Sequence, residues 1–500
     1  MKKCIVLITL LLVFSLASNS QHFRAKKGLT GLTEQKETRS ADNRMLYTVL
    51  DEQRGFDTLP QETGFLTWLT QKPALHSVSE EHNVVLNPVF NFQYWKSKNK
   101  AGYINSRGAE IRGHFHNCIF FHTSFYENQG RFQDYLNDYA GTYGVLPGYA
   151  RMKPYNENDW DYASAFGSVQ FNAFEQLLFR LGHDKLFIGE GHRSLFLSDA
   201  AFQQLFFETC FDIGKFRFTN LTMQWLNPNF NNVMLWESEQ SLEGNYQRKI
   251  NSINMVEWQV NPAFRLGLIE AVLFHPGTGF DLNMINPWVF FRASMVRQNS
   301  GNNILMGLDA LYAFDNTDVY AQLMIDDVQS TNLGISNSYN RFGWQIGALY
   351  YDVFGVQNLH VRTEHNYIRA MSYAESVPEI SWTHYNQNAA HPAGNNLMEF
   401  IAMVQYRWRN VPVSCQLNYM EYGDEHNQPV APADFNYPGA FIAGNAKRFV
   451  FADVEAGYII NPVWHWVAYA GISYRNAGND DILWVRIGTR TNIHRLIRDF

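Results

Sequence analysis

Past its first twenty residues, this 500-residue sequence has no apolar run near the roughly 18 residues that a membrane-crossing helix needs. A helical membrane anchor is therefore not expected there. Cysteine is scarce: of four, only Cys118, Cys210 and Cys415 lie beyond that stretch. An odd number at scattered positions makes neither a disulfide framework nor a zinc site, so single buried thiols are expected. Charged residues are few, at 17%, and the net charge of -7 argues against nucleic acid as a partner. No Pro/Ser-rich linker or composition shift appears after residue 84, which argues for one continuous unit rather than several domains.

The sequence opens with "MKKCIVLITLLLVFSLASNSQ". Lys2 and Lys3, an apolar core too short to span a bilayer, and small Ser18 and Ser20 read as a signal peptide over residues 1–20. Cys4 precedes the apolar core, which argues against a lipoprotein anchor. Aromatics make up 15% of the chain. Exported, aromatic-rich and without membrane helices is the profile of an outer-membrane β-barrel or a large secreted β-protein.

Period-two patterning favours the barrel. In "VYAQLMID" (319–326), Val319, Ala321, Leu323 and Ile325 alternate with Tyr320, Gln322, Met324 and Asp326. "NLHVRTEHN" (358–366) and "FVFADVEAGYI" (449–459) alternate likewise, with runs long enough for tilted membrane strands. Tight turns are expected near His116-Asn117, Gly214-Lys215, Asn261-Pro262, Asn316, Gly355–Gln357, Asn410 and Asn461-Pro462. Between them lie longer polar stretches at 128–162, 189–200, 227–247, 275–302, 327–340, 370–396, 423–446 and 475–481. Short and long connections alternate, as in transmembrane barrels with turns at one rim and loops at the other. The expected fold is therefore all-β: an outer-membrane antiparallel barrel of about 18 strands over residues 84–500. The segment "NPWVFFRAS" (286–294) is assigned to a loop, because counting it as a strand would give two successive strands one heading.

Trp95, Trp225, Trp258, Trp408, Trp464 and Trp466 sit near strand ends and are expected in interfacial girdles. Phe500 is a weak form of the terminal aromatic by which barrel assembly machinery recognises its clients. Residues 21–83 read as a periplasmic, partly helical segment, with helical spacing at 44–55 and 62–71. Lumen-facing Arg112, Arg180, Arg362, Glu364, Asp453, Glu455, Arg486 and Arg490 are of mixed sign. Such charges are expected to pair across the lumen and plug it.

For chemistry, "GHRSLFLSD" (191–199) places His192, Arg193, Ser194 and Asp199 close together. Ser194 lacks the glycine-flanked elbow of a serine hydrolase, so no catalytic residue is assigned and an enzyme is not expected. His114, His116 and His122 flank a turn without an acidic or thiol partner at useful spacing, so no metal or other cofactor is expected. "WTHYNQNAAHP" (382–392) offers Trp382, His384, Tyr385, Asn386, Gln387 and His391, and "DFNYPGAF" (434–441) adds Phe435, Tyr437 and Phe441. Aromatic faces for sugar C–H surfaces and planar polar groups for hydroxyls suit a polysaccharide.

The stretch "LGHDKLFIGEGHRSLFLSDAAF" (181–202) resembles the hallmark segment of the capsule-assembly Wzi family. The likeness is to its Bacteroidota branch, which includes the gliding-motility protein RemB. "LIEAVLFHPGTGFDLNMINPWVFFR" (268–292), "NNILMGLDALYAF…VYAQLMIDD" (302–327) and "SWTHYNQNAAHPAGNN" (381–396) agree, in order. Where the family's run resembles G-Y-R-S-L, this chain has His192. The resemblance implies an eighteen-stranded outer-membrane barrel with a periplasmic helical part, acting as a lectin-like anchor for surface polysaccharide. His192, Arg193, Ser194, Asp199, Trp382, His384, Tyr385, His391 and Tyr437 are the expected contacts. Outer-membrane lipid and the assembly machinery are the other expected partners. A diffusion porin or small-solute transporter is the alternative.

Overall fold

The computed structural model describes residues 64–500 apart from 117, 150, 157–158, 175, 227–247, 276–300, 328–339, 376, 425–440, 479 and 495. The expectations for the signal peptide, for helix over 44–55, for the 286–294 loop and for Tyr437 lie outside the described residues.

Eighteen antiparallel strands form the wall: β1 His82–Ser97, β2 Ala101–Phe115, β3 Ile119–Gly130, β4 Asp159–Phe174, β5 Leu177–Asp184 and β6 Gln204–Ile213. They continue with β7 Phe216–Leu226, β8 Arg248–Asn261, β9 Phe264–Phe274, β10 Asn303–Ala313, β11 Thr317–Asp327 and β12 Arg341–Tyr350. The last six are β13 Leu359–Ile368, β14 Leu397–Trp408, β15 Val411–Gly423, β16 Ala446–Asn461, β17 Trp466–Ala477 and β18 Asp480–Arg490. The sheet closes because β1 pairs with β18, in a register running from Asn91 opposite Arg490 to Ser97 opposite Trp484. Closure leaves no unpaired edge, as a lipid environment demands of a sheet.

The expected alternation of connections is present. All seven anticipated tight turns fall at one rim, together with an eighth after Phe174 that no Gly, Pro or Asn signals. At the other rim the stretch 475–481 is not a long loop. β17 runs to Ala477 and β18 begins at Asp480, because this polar sequence continues the ladder with Ala477 opposite Asp480. β1 and β2 are also joined tightly at that rim, by residues 98–100.

Side-chain parity sorts the wall. Tyr320, Gln322, Met324 and Asp326 point inward and are buried, and so are His360, Arg362, Glu364 and Asn366. Leu483, Val485 and Ile487 of β18 are more than half exposed on the outer face. The tryptophans divide by the same rule. Trp258 and Trp408 face outward near the short-turn rim, whereas Trp95, Trp225 and Trp464 are buried and do not belong to an outer girdle. Trp95 shares its parity with Asn87, Asn91 and Gln93, which puts its indole inside, where Nε1 donates to Arg131 O at 2.7 Å. The three cysteines are free but only half-buried.

Before the wall, helix α1 (Phe65–Gln71) occupies the stretch with helical spacing at 62–71, and Leu75–Val78 adds a short strand to the start of β1. Trp68 meets Trp464 edge-on at 5.8 Å, and Asn461 Nδ2 donates to Leu69 O and Lys72 O at 2.9 and 3.1 Å. The segment thus rests against the short-turn rim.

Candidate functional site: the network inside the barrel

The lumen is filled. Its main apolar cluster joins inward wall residues such as Trp225, Ile269 and Trp484 to Leu186, Ile188, Leu195, Phe196, Trp382 and Leu136 from the loops. Among the described residues, three connections of the long-loop rim supply most of the filling: 131–158, carrying helix α2 (Asp134–Tyr143), 185–203 and 369–396, joined by Ile493, Leu496 and Phe500 near the end of the chain. Folding long loops inward buries backbone polar groups, and each must then find a partner. Wall side chains provide them. Gln322 donates to Ile188 O at 3.1 Å and accepts from Leu195 N at 2.9 Å, while Gln345 donates to Arg193 O at 2.9 Å. Gly189, at φ +107°, brings the 185–203 backbone so close to Gln322 that a β-carbon would collide with its amide. The two loops also bond one another, Ser198 N to Ala389 O at 2.9 Å and Trp382 Nε1 to Phe196 O at 2.7 Å.

Glu399 of β14 is the centre of the polar network. Its carboxylate has no exposed surface, and it accepts from Arg193 at 3.0 and 3.2 Å, His391 Nε2 at 2.8 Å, Asn366 at 3.2 Å and Asn418 at 3.2 Å. Arg193 donates as well to the Asp499 carboxylate at 3.0 Å. Two backbone amides of the same loop, His192 N and Arg193 N, donate to Glu364 at 2.5 and 3.0 Å. Burial pushes the Asp499 carboxyl up, but Arg193 and His192 outweigh it and hold the group down at about 2. Burial lowers the basicity of Arg193 too, and the Asp499 and Glu399 carboxylates more than reverse this. A buried guanidinium between two carboxylates persists only because each charge is matched.

Most of the sequence-chosen residues fall into two groups. Arg193, Ser194, Trp382, His384 and His391 are buried in the filling. Ser194 Oγ donates to Ile188 O at 2.6 Å and accepts from Phe196 N and Leu197 N at 3.2 and 3.3 Å, so its hydroxyl closes a turn and has no bond to His192. His384 accepts from Leu226 N at Nδ1 (3.1 Å) and donates from Nε2 to Gln203 O (3.1 Å), a pairing that requires the neutral ring. Burial drives its pKa down to about 3. These side chains brace the loops and present no free face. His192 and Asp199 instead line a polar cavity of about 100 Å³, together with Lys185, Gln416, Asp453 and Arg498. Burial depresses the Lys185 ammonium to about 8, against the pull of Asp199 and Asp184. Tyr385 is half-buried, 5.4 Å from the ring of Phe202, while Asn386 and Gln387 tie the loop to the backbone of Tyr143 and Tyr149.

The lumen charges pair, but along the wall, between strands one or two places apart, rather than across the barrel. Arg486 bonds Asp453 and Glu455, Arg490 bonds Glu455, and Arg180 bonds Glu208. The three histidines separate: His116 lies in a turn, His114 beside Phe120, and His122 bonds Asp184 at 2.7 Å. Glu399 and Asp499 were missed. A single carboxylate within apolar "LMEFIAMV" was the available signal for Glu399; nothing local marks Asp499.

No family model and no curated protein matches this chain. Among solved structures, it is similar to Wzi of Escherichia coli, described as an outer membrane protein involved in group 1 capsule assembly and a carbohydrate-binding β-barrel. Identity is 14%, the TM-score is 0.50, and the match covers 82% of this chain and 85% of that one. Acinetobacter baumannii OccAB2 aligns at 12% identity and a TM-score of 0.43, over 83% and 99% of the two chains. Pseudomonas aeruginosa OprD aligns at 9% and 0.42, over 81% and 94%. The chain is a closed 18-stranded antiparallel β-barrel with a Wzi-like fold.

Proposed function

We propose that this protein is a non-enzymatic outer-membrane barrel that binds and anchors surface polysaccharide, in capsule attachment or in gliding as the Bacteroidota branch suggests. The observation that carries the reading is the filled lumen: an apolar cluster and a charge-matched network stand where a diffusion pore needs water. On this reading the long-loop rim faces outward from the cell, as loops do in such barrels. The glycan meets the outer parts of those loops, with Tyr385 and Tyr437 as aromatic faces, and a sugar unit that enters the polar cavity meets Asp199 and His192 there. Trp382, His384, His391, Arg193 and Ser194 contribute by fixing the loops.

The test is binding of purified protein to the cell's own surface glycan, with Tyr385→Ala and Tyr437→Ala. Loss of an aromatic stacking contact should weaken binding by about tenfold. A deletion strain should shed its glycan. Retention of the glycan by that strain, with no binding by purified protein, defeats the proposal, and steady conductance of the intact chain would favour a porin instead.

A further inference from the structure

The barrel ladder ends at Arg490, yet residues 491–500, "TNIHRLIRDF", follow it. They do not trail from the rim. Thr491 N and Asn492 N donate to Phe90 O and Trp464 O at the short-turn rim, and the segment then climbs inside the barrel. Beyond that point, its backbone carbonyls are held by side chains of the wall and loops. Tyr149 OH donates to His494 O at 2.6 Å, Arg193 to Asp499 O at 2.7 Å, and Arg475 to Phe500 O at 3.3 Å. The Asp499 carboxylate accepts from Arg193, from Gln416 at 2.7 Å and from Asn418 at 3.2 Å, and lies 3.4 Å from His192 Nε2. The Phe500 ring stands edge-on to Tyr139 of α2 at 5.2 Å, near Tyr135 of the same helix. The segment therefore reaches from one rim to the loop helix of the other.

Two features distinguish this from ordinary core. Beyond Asn492 the anchors are side chains, so withdrawing that part of the segment breaks no strand pairing of the wall. Cavities also border it: the polar one of about 100 Å³ touches Leu496 to Asp499, and another of about 30 Å³ is lined by Ile493, His494, Leu496 and Arg498 facing Trp95, Tyr162 and Tyr469. Once empty, the groove keeps Arg193 and Arg475 aimed at where an acidic residue and the following carbonyl lay, beside an aromatic seat on α2. Such an arrangement recognises a carboxylate followed by an aromatic ring.

We propose that the lumen contains a binding groove for an extended peptide bearing an Asp-aromatic pair, that residues 491–500 fill it in cis, and that vacating it opens the barrel. This does not rest on glycan binding, which is measured separately at the loops. The test compares planar-bilayer conductance of the full chain with that of a chain ended after Arg490, each checked for folding by its heat-modifiable gel mobility. The full chain should be silent and the shortened one should conduct. A synthetic TNIHRLIRDF peptide should suppress that conductance, and its Asp499→Asn form should need about tenfold more peptide, from loss of a charge-assisted contact. Silence of the folded shortened chain, or indifference to the peptide, overturns the proposal. If the shortened chain does not fold, the full chain carrying Asp499→Asn and Phe500→Ala should show intermittent openings, and their absence overturns it equally.

Discussion

Acidification should loosen the 369–396 loop from within the barrel, and His384 sets the size of the effect. Its ring is 2% exposed and serves as acceptor at one nitrogen and donor at the other, so a second proton would destroy the bond from Leu226 N. The titratable groups that bear on it are Lys249 of β8 and His183 of β5, and neither favours an added charge. Burial holds the folded-state pKa at about 3, against 6.5 for a solvated imidazole. Between those values the opened loop binds a proton that the closed loop refuses. Stability contributed by this histidine is thus complete above pH 6.5 and declines as pH falls toward 3. From pH 7 to pH 5 the loss is about 2 kcal/mol, or roughly a thirtyfold rise in the open population. Native-state hydrogen exchange in micelles reads this at the Trp382 and Ala389 amides, which bond Tyr373 O at 2.9 Å and Trp382 O at 3.2 Å. After correction for intrinsic rates, protection there should fall about thirtyfold across this interval, and His384→Gln should flatten the dependence. Unchanged protection between pH 7 and pH 5 would refute the reasoning.

Two further outcomes bear on the network and the wall. Arg193→Met leaves Glu399 and Asp499 buried without their guanidinium and should cost about 3–5 kcal/mol, seen as a lowered melting temperature; Glu399→Gln in the same chain should restore part of it. Val485→Lys, on the outer face of β18, should cost about 2–4 kcal/mol in equilibrium folding into lipid vesicles if that face meets the bilayer core, and a neutral result would contradict the assignment of faces.

The wall was legible because a β-strand presents alternate residues to opposite sides, so local sequence carries the sorting. "VYAQLMID" and "NLHVRTEHN" both gave their inward and outward sets correctly. The missed turn after Phe174 lacks turn-forming residues, and the tight 478–479 connection is disguised by polar flanks that continue the ladder. Trp95 and Trp225 were placed by nearness to strand ends, when the parity of their own strands put them inside.

The loops and the last ten residues are a different case. Ser194, Trp382, His384 and His391 have the composition of a surface binding loop, yet they are buried, because residues far apart in sequence supply their partners. Glu364 lies 172 positions from His192, and Asp499 lies 306 from Arg193. Sequence alone determined the repeating strand, its two faces and the count that closes the barrel, since those follow from periodicity along the chain. Only tertiary structure decided what fills the barrel, because a buried charge or carbonyl is placed by whichever distant group can satisfy it.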